Sequence, residues 1–393
     1  MVRNVKVKDV KKYMGNNMFT TEVLHQALKD AFVKTDNNLS VFKNKFPSSA
    51  SVHNVYIPVD NSEDWNQGFW VGILWLAYEL SHDDKYKKTA EGLLPSFEKR
   101  ISEKIGVNHH DMGFLYTPSC VAAYKLTGNT AAKETAVKAA NHLISRYHEN
   151  GGFIQAWGDI DDTSSGRLII DCLLNIPLLF WTSEVTGNQT YAHIAQKHFD
   201  ATIHNIIRED GSTYHTFYFD TKTGAPLKGV TAQGASDDSC WSRGQAWCMY
   251  GLMLTYKYVK KECVMPLFKS VTNYFLNHLP NDYIPYWDLT FTSGNEERDS
   301  SAAAIAVCGL LEALKYMDAS DPYQEVYRNA ADKIMYSLYK NYSTRNTPGS
   351  NGLLLHAVYS KPARIGVDEC NIWGDYFYME ALTRMTQNWD LYW

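Results

Sequence analysis

Two aspartates sit where carboxylates are costly unless they are used or paired. Asp171 lies inside RLIIDCLLN, with Leu168, Ile169 and Ile170 before it and Cys172, Leu173 and Leu174 after it. A charge in such surroundings is expensive to desolvate without a partner. Asp111 closes the stretch NHHD, directly ahead of the apolar run MGFLY. A desolvated carboxyl holds its proton toward neutral pH and can donate it, and a carboxylate at a helix start is favoured by the positive end of the helix. Two such acids on neighbouring elements are the usual machinery of glycosidic chemistry. Each also has a plainer reading. Asp171 can pair with Arg167, four residues earlier, in a buried bridge, and Asp111 can simply cap a helix.

Further polar residues fall at useful spacings. Asn175 follows Asp171 by one helical turn and so shares its face. Arg243 and Trp247, also four apart, offer a guanidinium fork and an aromatic ring on one face, which suits a carboxylated sugar; an ordinary Arg–Trp stack has the same spacing. His109, His110 and Asp111 have the residue types of a metal site, but side chains adjacent in a chain diverge, and HxxxH and HExxH spacings do not occur. No metal is expected. The dinucleotide, P-loop and GxSxG motifs are missing from the chain, which leaves nucleotide cofactors and serine-hydrolase chemistry without support.

The elements that must carry these residues are helical. Apolar helices are predicted near 67–80, 112–126, 168–185, 243–257, 300–317 and 374–385, the first five followed by short polar turns such as SHDD, TGNT and TGNQ and then by a more charged, amphipathic helix. The sixth has no partner after it, and 20–36 supplies one from the other end of the chain. Helices apolar all round belong in an inner layer and one-faced helices outside. A last inner helix partnered from the opposite end favours closure, so the expected fold is all-α, an (α/α)6 barrel in one domain over 1–393, with 1–19 as a short leader. An open solenoid of helical repeats is the alternative, disfavoured by irregular repeat length and long loops. In a closed ring the six inner helices run the same way and their N-terminal ends share one mouth. The segments leading into them are DWNQGFW, NHHDMGF, WGDIDDTSSGRLIID, SDDSCWSRGQAW, WDL…ERDSS and DECNIWGDY, and all are rich in polar and aromatic residues.

Composition excludes several classes. The net charge of −5 and the lack of any basic patch interleaved with aromatics argue against nucleic acid. Eleven Trp and 26 Tyr suit a cleft for sugar rings as well as an ordinary core. No apolar stretch reaches membrane-span length, the N-terminal stretch lacks a signal-peptide core, and seven dispersed cysteines read as reduced thiols. A cytoplasmic protein, a monomer by default, is the expectation.

The motifs NQGFW, HHDMGFLYTPS, GGFIQAWGD, RLIIDCLLN, HTFYFD, TAQGASDDSCWSRGQAW, RDSSAAAIAVCGL and GVDECNIWGDYFY resemble, in order and spacing over nearly the whole chain, those of the bacterial unsaturated glucuronyl hydrolases, glycoside hydrolase family 88. The resemblance implies an (α/α)6 barrel without metal or organic cofactor. Its implied substrates are lyase-generated oligosaccharides bearing a C4=C5 unsaturated uronate at the non-reducing end, of hyaluronan or chondroitin type. It implies Asp171 as general acid and base and Asp111 as the second essential carboxylate. Trp65, Trp157 and Trp247 would wall in the sugars, and His215, Gln233 and Arg243 would contact the uronate. Family members that act on sulfated disaccharides carry Ser-x-x-Ser-x-Lys before the GVDE stretch, whereas this chain reads SKPARI at 360–365. Ser360 fits, Ala363 and Ile365 depart, and Lys361 and Arg364 keep local positive charge. That pattern leans toward weak selectivity for sulfate. A pectin-directed unsaturated rhamnogalacturonyl hydrolase and a non-catalytic carbohydrate-binding toroid are the competing readings.

Overall fold

The computed structural model describes residues 2–15, 17–62 and 64–393. The helices are α1 (Thr21–Val41), α2 (Gly68–Ser81), α3 (Asp84–Ser102), α4 (Met112–Tyr116), α5 (Ala122–Thr127), α6 (Thr130–Ile144), α7 (Cys172–Asn175), α8 (Pro177–Thr186), α9 (Gln189–Asn205), α10 (Ser242–Val259), α11 (Val264–Asn277), α12 (Ser300–Leu314), α13 (Gln324–Ser337) and α14 (Ile372–Thr386). Short antiparallel strands lie between them: β1 (Phe46–Pro47) with β2 (Pro58–Val59), β3 (Tyr147–His148) with β4 (Phe153–Ile154), β5 (Arg167–Ile169) with β6 (Thr216–Phe219) and β7 (Pro226–Val230), and β8 (Ala357–Ser360) with β9 (Ile365–Glu369). The fold is predominantly helical.

The helix–turn–helix units form for local reasons. Three apolar helices end on a residue with left-handed backbone, His82, Gly128 or Gly187, and the next residue, Asp83, Asn129 or Asn188, caps the following helix with its side chain. The left-handed residue turns the chain and satisfies a terminal carbonyl, and the Asx oxygen satisfies an opening amide. The polar turns SHDD, TGNT and TGNQ therefore encode one hairpin geometry three times.

Helix contacts follow a closed cycle. α2 packs on α4, α4 on α7, α7 on α10, α10 on α12, α12 on α14, and α14 returns to α2. The amphipathic helices α3, α6, α9, α11 and α13 each pack against the apolar helix before them in the chain, and α1 packs on α14. A glycine stands at each of the six seams: Gly68, Gly113, Gly251, Gly309, Gly374 and Gly72, where an added Cβ would lie within 3.0 Å of an atom of the neighbouring helix. At Gly68, Gly113, Gly251 and Gly309 the inner helices are thus held at backbone-to-backbone range. Residues before α1 lie along α11 and α13: Tyr13 donates its hydroxyl to Leu276 O at 2.5 Å, and Val5 O accepts from Asn273 Nδ2 at 2.8 Å. No helix among the described residues is long and apolar enough to cross a membrane.

Two helix predictions need correction. The stretch 168–185 is not one helix. Residues 167–169 are paired to β6, Asp171 sits in the turn that follows, and the helical part breaks between Asn175 and Pro177. Cross-strand pairing with Thr216–Tyr218 outweighs helical periodicity over three residues, and Pro177, which has no amide hydrogen, starts a new segment. The run 112–126 stays helical but passes through a π-turn at Thr117–Val121 that contains Pro118, whose missing N–H interrupts the regular ladder.

Candidate active site

The segments leading into the six apolar helices, or the first turns of those helices, meet one another. Trp65, ahead of α2, packs on Phe114 of α4 and on Trp373 of α14, with centroids 5.1 and 5.0 Å away. Phe114 donates its amide to Asn175 Oδ1 on α7 at 3.1 Å. Arg243 in the first turn of α10 reaches Asp299, which caps α12, at 2.9 Å, and Trp373 donates to Ser301 Oγ at 3.2 Å.

At the centre are the two acids. Asp171 and Asp111 occupy the N-cap positions of α7 and α4, but neither side chain makes a cap hydrogen bond. The simple-cap reading of Asp111 therefore fails. Its carboxylate turns sideways: Oδ1 accepts from Asn175 Nδ2 at 3.2 Å and lies 3.3 Å from His110 Nε2, while Oδ2 lies 3.1 Å from His109 Nδ1. The same His110 Nε2 is 3.2 Å from Asp171 Oδ1. His110 thus stands between both acids. The bridge from Asp171 to Arg167 is not formed, because Arg167 lies against Trp157 and Tyr218 instead. The three adjacent residues of HHD, expected to diverge, converge. The chain turns at Asp111, whose own amide points back at His109 Nδ1 at 3.0 Å.

The acids are in different electrostatic states. Burial is the largest influence on Asp171 and raises its carboxyl above the usual range, with Asp111 adding to it and His110 opposing. Burial also pushes on Asp111, but His110, His109 and the Asn175 amide together outweigh it and hold it below the usual range. For His110 burial disfavours the imidazolium, yet Asp111 and Asp171 prevail and the net direction is up. One carboxyl inclined to hold its proton beside one inclined to lose it is the arrangement of an acid–base pair. The side chains of Asp111 and Asp171 remain 15% and 18% exposed, whereas His110 is 2% exposed. The acids face the cleft, and the histidine lies behind them. One donor atom each of His110, Asp111 and Asp171 lies within 4.8 Å of the other two, so the metal-type donor set that sequence spacing argued against does come together.

The remaining predicted residues divide. Trp65 and Trp157 are only partly buried; Trp65 Nε1 donates to the Tyr359 hydroxyl at 2.9 Å, and the backbone of Trp157 pairs with that of His109. His215 is buried, its Nδ1 2.6 Å from Thr216 Oγ1 and its Nε2 without a partner among the described residues. Burial, aided by Arg243, pushes its pKa down to about 3, so the ring is neutral. Asn175 is buried and bonded to Asp111.

Arg243 is not an open fork. Nη1 donates to Asp299 and to Val358 O, and Nη2 donates to Gln233 Oε1 at 2.7 Å and Tyr359 O at 2.6 Å. All four terminal hydrogens are committed within the protein, and the guanidinium stacks on Trp241 and Trp373, not on Trp247. Trp247 is 1% exposed, packed on Phe114 and Phe377, and is core. On the β8–β9 hairpin, Ser360 Oγ accepts from Ala363 N at 3.4 Å, Lys361 is ion-paired to Glu297, and Arg364 is exposed at the turn with left-handed backbone. The positive charge expected from Lys361 is therefore already neutralised.

Sequence reasoning missed His110 as a member of the acid network, although its position beside Asp111 was visible. It also missed Arg146, whose Nη1 donates to Asn108 Oδ1 at 2.5 Å and whose Nε and Nη2 donate to Gln155 O and Gly158 O at 2.8 and 3.0 Å. Arg146 ties the loop of Asp111 to that of Trp157, and no local motif signals it.

Comparison with known proteins finds relatives along nearly the whole chain. The chain is 50% identical over 390 residues to an unsaturated chondroitin disaccharide hydrolase of Streptococcus pneumoniae, covering 99% of this chain and 98% of that one. It is 39% identical to an unsaturated glucuronyl hydrolase of a Bacillus species, covering 94% and 98%. Among solved structures, the unsaturated glucuronyl hydrolase of Streptococcus agalactiae superposes with a TM-score of 0.98 at 47% identity, covering 100% of this chain and 99% of that one. A variant of that enzyme complexed with dGlcA-GalNAc6S superposes at 0.89 with 44% identity and full coverage of both chains. The model of Glycosyl Hydrolase Family 88 matches residues 40–391, and the chain belongs to that family.

Proposed function

We propose that this protein is an unsaturated glucuronyl hydrolase. It releases the C4=C5 unsaturated glucuronic acid from the non-reducing end of lyase-generated glycosaminoglycan oligosaccharides of hyaluronan or chondroitin type. The observation that carries the reading is the pair of acids set against one buried histidine, one carboxyl inclined to stay protonated and the other ionised. Asp171 delivers its proton to C4 of the enol ether, positive charge develops at C5, and water adds there. Asp171, now a carboxylate, takes the proton of that water. The resulting hemiketal at C5 opens and frees the neighbouring sugar, with one water consumed. Asp111, oriented by Asn175 and His110, holds negative charge beside the developing cation. Trp65 and Trp157 supply partly exposed rings for the sugar faces, and His215, packed on Trp241, carries an Nε2 without a partner among the described residues.

The cycle of apolar helices lined by amphipathic ones supports an (α/α)6 barrel forming one domain over the chain. All seven cysteines are unpaired, a usage that fits a reducing compartment, and we place the activity in the cytoplasm. Capture of Lys361 by Glu297 supports weak sulfate selectivity at the β8–β9 hairpin.

The test is loss of the ultraviolet absorbance of the conjugated double bond on mixing the protein with unsaturated hyaluronan or chondroitin disaccharides. Wild type bleaches it, and Asp171→Asn slows the loss by about 10²–10⁴-fold. No loss with any lyase product removes the hydrolase reading; full-rate loss in Asp171→Asn removes the residue assignment.

A further inference from the structure

Two of the three expected cations of the mouth, Arg243 and Lys361, are already committed within the protein, and the third is not held in place. The Arg243 fork is filled from within, Lys361 is bound to Glu297, and Arg364 stands at an exposed hairpin tip with no neighbour fixing it. Arg167 differs from all three. It is the first residue of β5, directly opposite Tyr218 of β6, so the two side chains share a face. Its guanidinium lies 5.1 Å from the centre of the Trp157 ring and 5.0 Å from that of Tyr218, and Nε donates to Ser165 O at 3.1 Å. Its carbonyl accepts the Ala156 amide at 2.8 Å, which fixes the strand against the loop of Trp157. Neither Nη atom has a hydrogen-bond or ion-pair partner among the described residues, and the residue is partly exposed. The Asp162 carboxylate of the same loop is near enough for Arg167 to favour its charged form, but it makes no hydrogen bond or ion pair to the fork; its oxygens accept from the amide and hydroxyl of Ser164 and from the Ser165 hydroxyl.

A planar fork immobilised on two rings, with four hydrogens free, is built for an oxyanion. Two parallel N–H donors match carboxylate or sulfate geometry, and the stacked rings have already removed the rotamer freedom that binding would otherwise cost. We propose that Arg167 is a specificity-determining residue that binds an oxyanion on the part of the substrate beyond the reacting uronate, either a sulfate ester of the leaving sugar or the carboxylate of a further uronate. The proposal rests on the oligosaccharide reading above. It places recognition of the leaving portion on the Trp157 side of the mouth, away from the β8–β9 hairpin.

The experiment compares kcat/KM of wild type, Arg167→Gln and Arg167→Lys on four substrates: unsaturated chondroitin disaccharides without sulfate, with 4-sulfate and with 6-sulfate, and an unsulfated unsaturated tetrasaccharide. In Arg167→Gln the ratio of kcat/KM for an anion-bearing substrate to that for the unsulfated disaccharide falls about tenfold, mainly through KM, and Arg167→Lys recovers part of it. A fall confined to a sulfated disaccharide identifies the ester, and a fall confined to the tetrasaccharide identifies the second uronate. Ratios within twofold of wild type for all three anion-bearing substrates overturn the proposal. So does an equal drop on all four, which marks loss of support for Trp157 alone. Wild-type protein that turns over none of the four removes the hydrolase reading itself, a separate failure.

Discussion

Replacing His110 by Phe tests the electrostatics of the site most directly. The ring keeps its shape in a buried position, while the nitrogen 3.2 Å from Asp171 and 3.3 Å from Asp111 is deleted. A full unit cation about 3.2 Å from a carboxylate attracts it by roughly 5 kcal/mol at an effective dielectric near 20. That is an upper limit on what deleting the nitrogen can remove. The exposed edges of both carboxyls admit solvent screening, and one imidazole divides its charge between two acids, so each acid feels only part of that limit. The signs agree. His110 lowers both carboxyls, so its removal raises both. The acidic limb of the profile, where Asp111 ionises, and the basic limb, where Asp171 loses its proton, both move to higher pH. Initial rates of chromophore loss at low substrate concentration, taken across the pH range, give kcat/KM and hence the free-enzyme values. Limbs that stay in place, or that move to lower pH, refute the assignment of His110 as the shared partner.

Three further outcomes are expected. Arg243→Leu leaves Asp299 buried without its partner and costs roughly 3–5 kcal/mol of stability, read as a lowered melting temperature and denaturant midpoint; unchanged stability contradicts the committed-fork description. Gly113→Ala places a methyl 2.4 Å from Asn175 Cα, forces the α4–α7 seam apart and disturbs the Asn175–Asp111 bond. The expected cost is about 1–3 kcal/mol together with a drop in kcat, both measurable on purified protein. Asp375 is buried, accepts from Leu354 N and the Tyr56 hydroxyl at 2.9 Å each, and is pushed up to about 7 by burial. Between the unfolded value near 4 and the folded value, unfolding releases a proton, so this group makes the fold less stable as pH rises, by a few kcal/mol in all. Asp375→Asn removes that slope, and its stability relative to wild type improves from pH 5 to pH 8; a constant difference refutes the shift.

Much of the scaffold was legible from the chain because helix periodicity and turn chemistry are local. SHDD, TGNT and TGNQ announce short polar turns between helices, and the apolar runs on their N-terminal side announce buried helices. The partnering of 20–36 with the last apolar helix was legible for a different reason, since one unpaired helix remained at each end. The β5 strand was not, because Leu168, Ile169 and Ile170 suit strand and helix equally and only the presence of β6 decides.

The site divides along the same line. The sequence by itself determined the kinds of residues at the mouth and the presence of Asp111 and Asp171 in neighbouring apolar segments, because residue type and order are properties of the chain. Only the tertiary structure decided which partners they meet. It put His110 between the two acids, filled the Arg243 fork with carbonyls from β8 and the side chain of Asp299, sent Trp247 into the core, and left Arg167 open on Trp157. Each of these depends on distances between segments remote in sequence, and charge interactions and hydrogen bonds act over those distances rather than along the chain.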